Sequence, residues 1–128
     1  MSKLIEEVTE ASVSATLTLS GSARWLAPEI IEDKESSPTM AADTYSYAMA
    51  ILELLTGKPP FSDHKRDAQV IFSITQKKQT PPRPVGNGAC VWLSDGLWKL
   101  MQGCWHRDAE CRPSMAQVAS RIMDLTMQ

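Results

Sequence analysis

Gly21-Ser22-Ala23-Arg24-Trp25-Leu26-Ala27-Pro28-Glu29 is the stretch on which the reading of this 128-residue chain turns. Ahead of it, residues 9–22 are rich in Ser, Thr and Ala with Val13, Leu17 and Leu19 interspersed, a composition that favours a loop or weak strand over a helix. Behind it, Pro28 interrupts the chain and Glu32-Asp33-Lys34-Glu35-Ser36-Ser37-Pro38 reads as a polar loop.

Helical signals dominate from there on. Residues 42–56 predict a helix with Asp43 in its first turn, where a carboxylate suits the positive end of the dipole. Gly57 caps its end and Lys58-Pro59-Pro60 enforces the stop. Tyr45, Tyr47, Ala48, Met49, Ala50, Ile51, Leu52, Leu54 and Leu55 cover nearly its whole circumference. Only Ser46 and Glu53, seven apart and so on one stripe, interrupt them. A helix apolar all round belongs inside protein, so this one is expected to be the central pillar. Val70, Ile71 and Ile74 predict a second helix over residues 67–77. Ser94 is a suitable N-cap for a third, whose Leu97, Trp98, Leu100, Met101, Cys104 and Trp105 share one face. Ser114-x-x-Gln117 reads as a capping box opening a fourth, with Met115, Val118, Ile122 and Leu125 as its buried stripe. Pro81-Pro82-Arg83-Pro84 extends the chain between helices; its Pro-x-x-Pro spacing suits an SH3-type groove, but a connecting loop is the plainer reading.

The bulk properties exclude several classes. A formal net charge of −2 with no basic stripe gives no footing for nucleic acid. The longest apolar run, residues 47–55, is too short to span a bilayer, and the acidic start Met1-Ser2-Lys3-Leu4-Ile5-Glu6-Glu7 lacks a secretory core. Cys90, Cys104 and Cys111 are odd in number and unpaired in spacing, which points to a reducing, intracellular and cytoplasmic setting. Cys104, His106 and Cys111 match no zinc spacing, so no metal site is expected.

In order and spacing, several motifs resemble the back half of a eukaryotic protein kinase domain. Ala27-Pro28-Glu29 resembles the triplet that closes the activation segment, and Gly21-Ser22 with Arg24-Trp25 is similar to the tyrosine-kinase-like group of serine/threonine kinases. Asp43-Thr44-Tyr45-Ser46-Tyr47 resembles the start of the family's F helix, with Ala48 in place of the usual Gly. Gly57-Lys58-Pro59-Pro60-Phe61 resembles the turn after that helix. Cys104-Trp105 through Arg112-Pro113 resembles the loop after the H helix, with Ala109 where Pro is usual. The resemblance implies a mostly α fold, a kinase C-terminal lobe. Residues 1–29 are its activation segment and residues 30–128 its helical part, with about four helices (F, G, H and I). Ser2-Lys3-Leu4-Ile5-Glu6-Glu7 resembles the segment immediately after an Asp-Phe-Gly motif, so Met1 is expected to fall just past that motif.

Residue by residue, the resemblance pairs Glu29 with Arg112, makes Trp105 structural, and gives Asp43 the role of holding the catalytic loop, a partner it is expected to lack here. It makes Gly21, Ser22, Arg24 and Trp25 a substrate-docking loop, and places Thr16, Thr18 and Ser20 where activation-loop phosphorylation occurs; a solvated Ser/Thr-rich loop is the alternative for these three. His106-Arg107-Asp108 repeats the letters of the catalytic-loop motif, but it comes after the Ala-Pro-Glu triplet and has Pro113 where the motif has Asn.

Phosphoryl transfer needs a nucleotide cradle, a lysine on the phosphates, metal-binding Asp and Asn, and a catalytic Asp. The chain contains no Gly-x-Gly-x-x-Gly, no Val-Ala-x-Lys and no Asp-Phe-Gly. No catalytic, cofactor-binding or metal residue is therefore expected in these 128 residues, although ATP and magnesium serve the complete family domain. The leading expectation is a partial serine/threonine kinase domain inactive by itself, with a protein substrate, a kinase N-terminal lobe or a chaperone as partner. A non-catalytic interaction module derived from a kinase lobe is the alternative. With the neighbouring E helix and catalytic loop lacking, part of the residue 47–55 surface is expected to be under-covered.

Overall fold

The structure, a computed structural model, describes residues 23–33, 39–84 and 93–126. These hold five α-helices, one 3-10 turn and no strand: α1 (Pro28–Glu32), α2 (Met40–Thr56), α3 (Asp67–Thr75), α4 (Asp95–Cys104), the 3-10 turn Ala109–Cys111, and α5 (Met115–Thr126).

The short helix α1 replaces the break expected at Pro28. Proline at the first helical position loses no hydrogen bond, because that N–H has no intrahelical acceptor, and its fixed φ already suits a helix. α2 begins two residues earlier than its apolar pattern suggests. Thr39 sets the start by accepting the Ala42 N–H on its hydroxyl at 3.0 Å. Gly57 ends α2 with φ +70°, where its N–H reaches the Glu53 carbonyl at 2.7 Å and a Cβ would add strain. α3 stops at Thr75, short of the expected residue 77. Lys78 takes a left-handed φ of 54° and the Gln79 N–H returns to the Ser73 carbonyl at 2.9 Å. Ser94 caps α4 through the Leu97 N–H, and Ser114 and Gln117 form a reciprocal box at the start of α5, with bonds of 2.9 and 3.1 Å.

The core runs along α2. Ala42, Tyr45, Ala48, Met49 and Leu52 meet Ile30 and Ile31 of α1, Val70 and Ile74 of α3, and Trp98, Leu100, Met101 and Cys104 of α4. α1 packs on α3, α4 on both α2 and α5, and α2 on the 3-10 turn. Each large apolar side chain enclosed this way contributes roughly 1.5–3 kcal/mol. As expected, part of the residue 47–55 surface is uncovered: Leu54 is 84 % exposed and Tyr47 41 %, seven apart on a stripe that no described element covers. One expectation needs correction. In α5 only Val118 is buried, while Met115, Ile122 and Leu125 are half-buried, because this last helix touches the body along one side. Leu125 still reaches α4 closely; a Cβ at Gly96 would stand 2.7 Å from its Cδ2.

Candidate functional site

The turn made by residues 23–27 sits on α2 and on the α2–α3 connection. Ala23 and Ala27 are fully buried and fix its ends. Between them the two polar residues of the α2 stripe find their use. The Ser46 hydroxyl donates to the Trp25 carbonyl at 2.7 Å, and the Trp25 indole N–H donates to the Glu53 carboxylate at 3.2 Å. What interrupts the apolar circumference of α2 is thus the seat of Trp25.

Arg24 turns inward. Its Nε donates to Asp67 Oδ1 at 3.1 Å, and its terminal nitrogens donate to the carbonyls of Pro60 (3.1 Å), Phe61 (2.8 Å) and His64 (2.8 Å). Its side chain is 12 % exposed. A guanidinium is a rigid fork of donors, and this one is committed to Asp67 and the residue 60–64 turn. It also holds Phe61, which has a positive φ of 57° that a non-glycine residue adopts only when its surroundings enforce it. Gly21 and Ser22, also expected in the docking loop, and the candidate phosphorylation positions Thr16, Thr18 and Ser20 lie outside the described residues.

Behind the turn, Glu29 and Arg112 meet fork to fork at 2.7 and 2.8 Å. Arg112 also donates to the carbonyls of Ala41 (3.0 Å) and His106 (2.9 Å), and its guanidinium lies 5.2 Å from the centre of the Tyr45 ring. Its side chain is fully buried and that of Glu29 is 32 % exposed. Burial works to raise the Glu29 pKa, but the hydrogen bonds and charge of Arg112 outweigh it and hold the carboxyl below its ordinary 4.5.

His106, Arg107 and Asp108 serve local structure. Arg107 donates to the Ile74 carbonyl and to Glu32, both at 2.6 Å, tying α3 to α1. His106 Nδ1 accepts the Asp108 N–H at 3.0 Å, and Asp108 Oδ1 accepts the Glu110 N–H at 3.0 Å, which starts the 3-10 turn. Trp105 is 2 % exposed and packs edge-on against Trp98 with centroids 5.5 Å apart. Its indole N–H and the Tyr45 hydroxyl are buried without a partner among the described residues.

Asp43 is exposed at the start of α2, and among the described residues its carboxylate meets no donor. Partial burial alone raises its pKa above 3.8. Among the described residues no three His, Cys, Asp or Glu side chains converge as metal ligands. Sequence reasoning finds Glu29 and Arg112 but not the use of Ser46 and Glu53. Their shared stripe is visible in the sequence, and its partner on another segment is not.

A helical body built on one axial helix, with a proline-led turn locked to it and a glutamate bridged to an arginine just before the last helix, has the make-up of a mostly α, kinase-like C-terminal lobe. The sequence profile described as "Protein tyrosine and serine/threonine kinase" matches residues 1–122. The chain belongs to the protein kinase family. It is 33 % identical over 117 residues to serine/threonine-protein kinase STY17 of Arabidopsis thaliana, covering 91 % of this chain and 19 % of that protein. It is 34 % identical over 111 residues to receptor-interacting serine/threonine-protein kinase 4 of Mus musculus, covering 84 % and 14 %. It is 30 % identical over 102 residues to dual specificity protein kinase shkC of Dictyostelium discoideum, covering 80 % and 19 %. The chain thus spans a fifth or less of the length of these relatives. Among the described residues no helix is long and apolar enough to cross a membrane.

Proposed function

We propose that this chain is the substrate-docking and scaffold portion of a serine/threonine-type protein kinase domain, and that these 128 residues alone transfer no phosphate. The observation that carries the reading is the turn at residues 23–27. Four Arg24 bonds and the Ser46 and Glu53 contacts to Trp25 fix it, a rigidity that suits a surface against which a peptide is positioned. Serine/threonine specificity is favoured by Gly21-Ser22 and by the names of the relatives. Inactivity is favoured by the missing Gly-rich, lysine and Asp-Phe-Gly motifs, since positioning and electrostatics do nearly all the work in phosphoryl transfer. The tyrosine-kinase-like group assignment rests on Gly21-Ser22 with Arg24-Trp25. Free thiols at Cys104 and exposed Cys111 favour a reducing, cytoplasmic location.

The purified chain, incubated with magnesium, radiolabelled ATP and a generic Ser/Thr peptide, is expected to leave the peptide unlabelled. Labelling above that of a Glu29→Ala control overturns the reading. Adding a separately expressed kinase N-terminal lobe that carries the catalytic loop tests the scaffold role directly.

The exposed apolar side chains Leu54 and Tyr47 favour a second reading, a non-catalytic module that holds a kinase lobe or a chaperone without nucleotide. Capture of such a partner at equal strength with and without ATP supports it.

A further inference from the structure

A cleft of about 340 Å³ opens between α4 and α5. It is lined by Lys99 and Gly103 of α4, Gln117 and Arg121 of α5, and Cys111 and Arg112 of the segment between them. Lys99 and Gly103 are four apart on α4, and Gln117 and Arg121 four apart on α5, so each pair shares a helix face. Lys99 and Arg121 are exposed, and among the described residues neither has an ion pair or hydrogen bond. The carboxylates that would ordinarily neutralise them are engaged elsewhere or stand outside the cleft. Asp95, one turn before Lys99, is held by Arg83 at 2.7 Å, Glu29 by Arg112, and Asp108 by the Glu110 N–H. Glu110 and Asp124 do not line the cleft, and Asp108 reaches it only through its hydrogen bond with the Cys111 thiol. Gln117 uses its carbonyl oxygen on the Ser114 N–H, which leaves its NH2 as a further donor.

We propose that this cleft binds one phosphate monoester dianion, the group carried by a phosphorylated serine or threonine side chain. Two unpaired cations, one on each of the two lining helices, balance the charge of about −1.5 to −2 that such a group bears at pH 7. The fork of Arg121 and the Gln117 amide supply directed donors, and Lys99 supplies a point charge. Inorganic phosphate presents the same chemistry, and only the size of the cleft, ample for the attached side chain, favours the protein-borne group.

The test is a heteronuclear NMR titration of the full chain with N-acetyl-O-phosphoserine amide, inorganic phosphate and unphosphorylated N-acetylserine amide at constant ionic strength. The expected result is saturable shifts at Gly103, Gln117 and Arg121 with the phosphoserine compound and none with the serine compound. Lys99→Gln and Arg121→Gln, both at exposed positions, should each weaken binding by about tenfold with unchanged circular dichroism, while Arg66→Gln has no effect. Tighter binding of phosphoserine than of inorganic phosphate supports a protein-borne ligand. Equal or tighter binding of inorganic phosphate overturns that source. Shifts that fail to saturate, spread over every surface cation, or survive both cleft substitutions overturn the site. None of these outcomes depends on whether the chain transfers phosphate.

Discussion

Glu29 and Arg112 stand 83 positions apart and meet in two parallel hydrogen bonds. The contact joins the end of the residue 23–27 turn to the approach of α5, and Arg112 at the same time satisfies the Ala41 carbonyl at the base of α2. One side chain therefore fixes three segments that are distant in sequence.

Breaking this pair should be costly from either side. Glu29→Gln leaves a fully buried guanidinium with only carbonyl partners, and Arg112→Met leaves the Glu29 carboxylate without its fork and the His106 carbonyl without its side-chain donor. Each is expected to lower the unfolding free energy by about 3 kcal/mol, the lower end of the range for buried pairs, because Glu29 keeps part of its surface in water. The double variant should lose clearly less than the sum, since the contact can be removed only once. Urea denaturation of the four proteins gives the cycle; additive losses contradict a buried, coupled pair.

The same pair predicts acid sensitivity. The Glu29 pKa is lowered in the folded state, so its stabilisation is complete above the unfolded value near 4.5 and fades as pH falls through the folded value. Asp43 has the opposite sign. Its folded pKa is raised, so its ionised form opposes folding above the unfolded value near 3.8, and acidification relieves this. Urea midpoints measured below pH 5 should therefore fall for the natural sequence, fall less for Glu29→Gln, and fall more for Asp43→Asn. An unchanged slope in Glu29→Gln defeats the assignment.

Arg24→Lys should be far from conservative. A lysine has three donors on one nitrogen and no rigid fork, so it cannot reach Asp67 and three carbonyls at once and at least one of the four bonds is lost. A loss of about 2 kcal/mol is expected, in the range for hydrogen bonds to a charged group. Hydrogen exchange locates it: the His64 N–H, bonded to the Phe61 carbonyl at 2.9 Å, should exchange faster, while amides in α4 change only with global stability. Equal acceleration everywhere would mean that Arg24 clamps nothing in particular.

The parts of the fold legible in sequence are those written locally. The α2 pattern, the Gly57 stop, the Ser94 cap and the Ser114–Gln117 box each depend on residues within one or two turns of one another. The Glu29–Arg112 contact is legible only through the family resemblance, since nothing local links the two. The features that local reading misses are decided across segments. Pro28 reads locally as a break, yet it opens α1. Nothing local to Arg24 names its acceptors, which belong to a turn some 40 residues on. Lys78 lies just past the end of α3 in a left-handed conformation for which its sequence gives no glycine signal.

The uncovered stripe of α2 gives the last prediction. Leu54 is 84 % exposed in a helix otherwise lined with core residues, and Tyr47 lies two turns before it on the same side. An exposed leucine contributes almost nothing to the folded state, so Leu54→Glu should change stability by no more than about 0.5 kcal/mol. It should nevertheless reduce the binding of an apolar dye and the light scattering of concentrated solutions, because it places a charge in the middle of the patch. Leu52→Glu, two residues away but 4 % exposed, is the contrast: it buries a carboxylate against the core and should prevent folding. If Leu54→Glu destabilised the chain as severely as Leu52→Glu, the stripe would have to be covered in solution. If it left both dye binding and scattering untouched, the stripe would not be the surface through which the chain adheres to apolar partners.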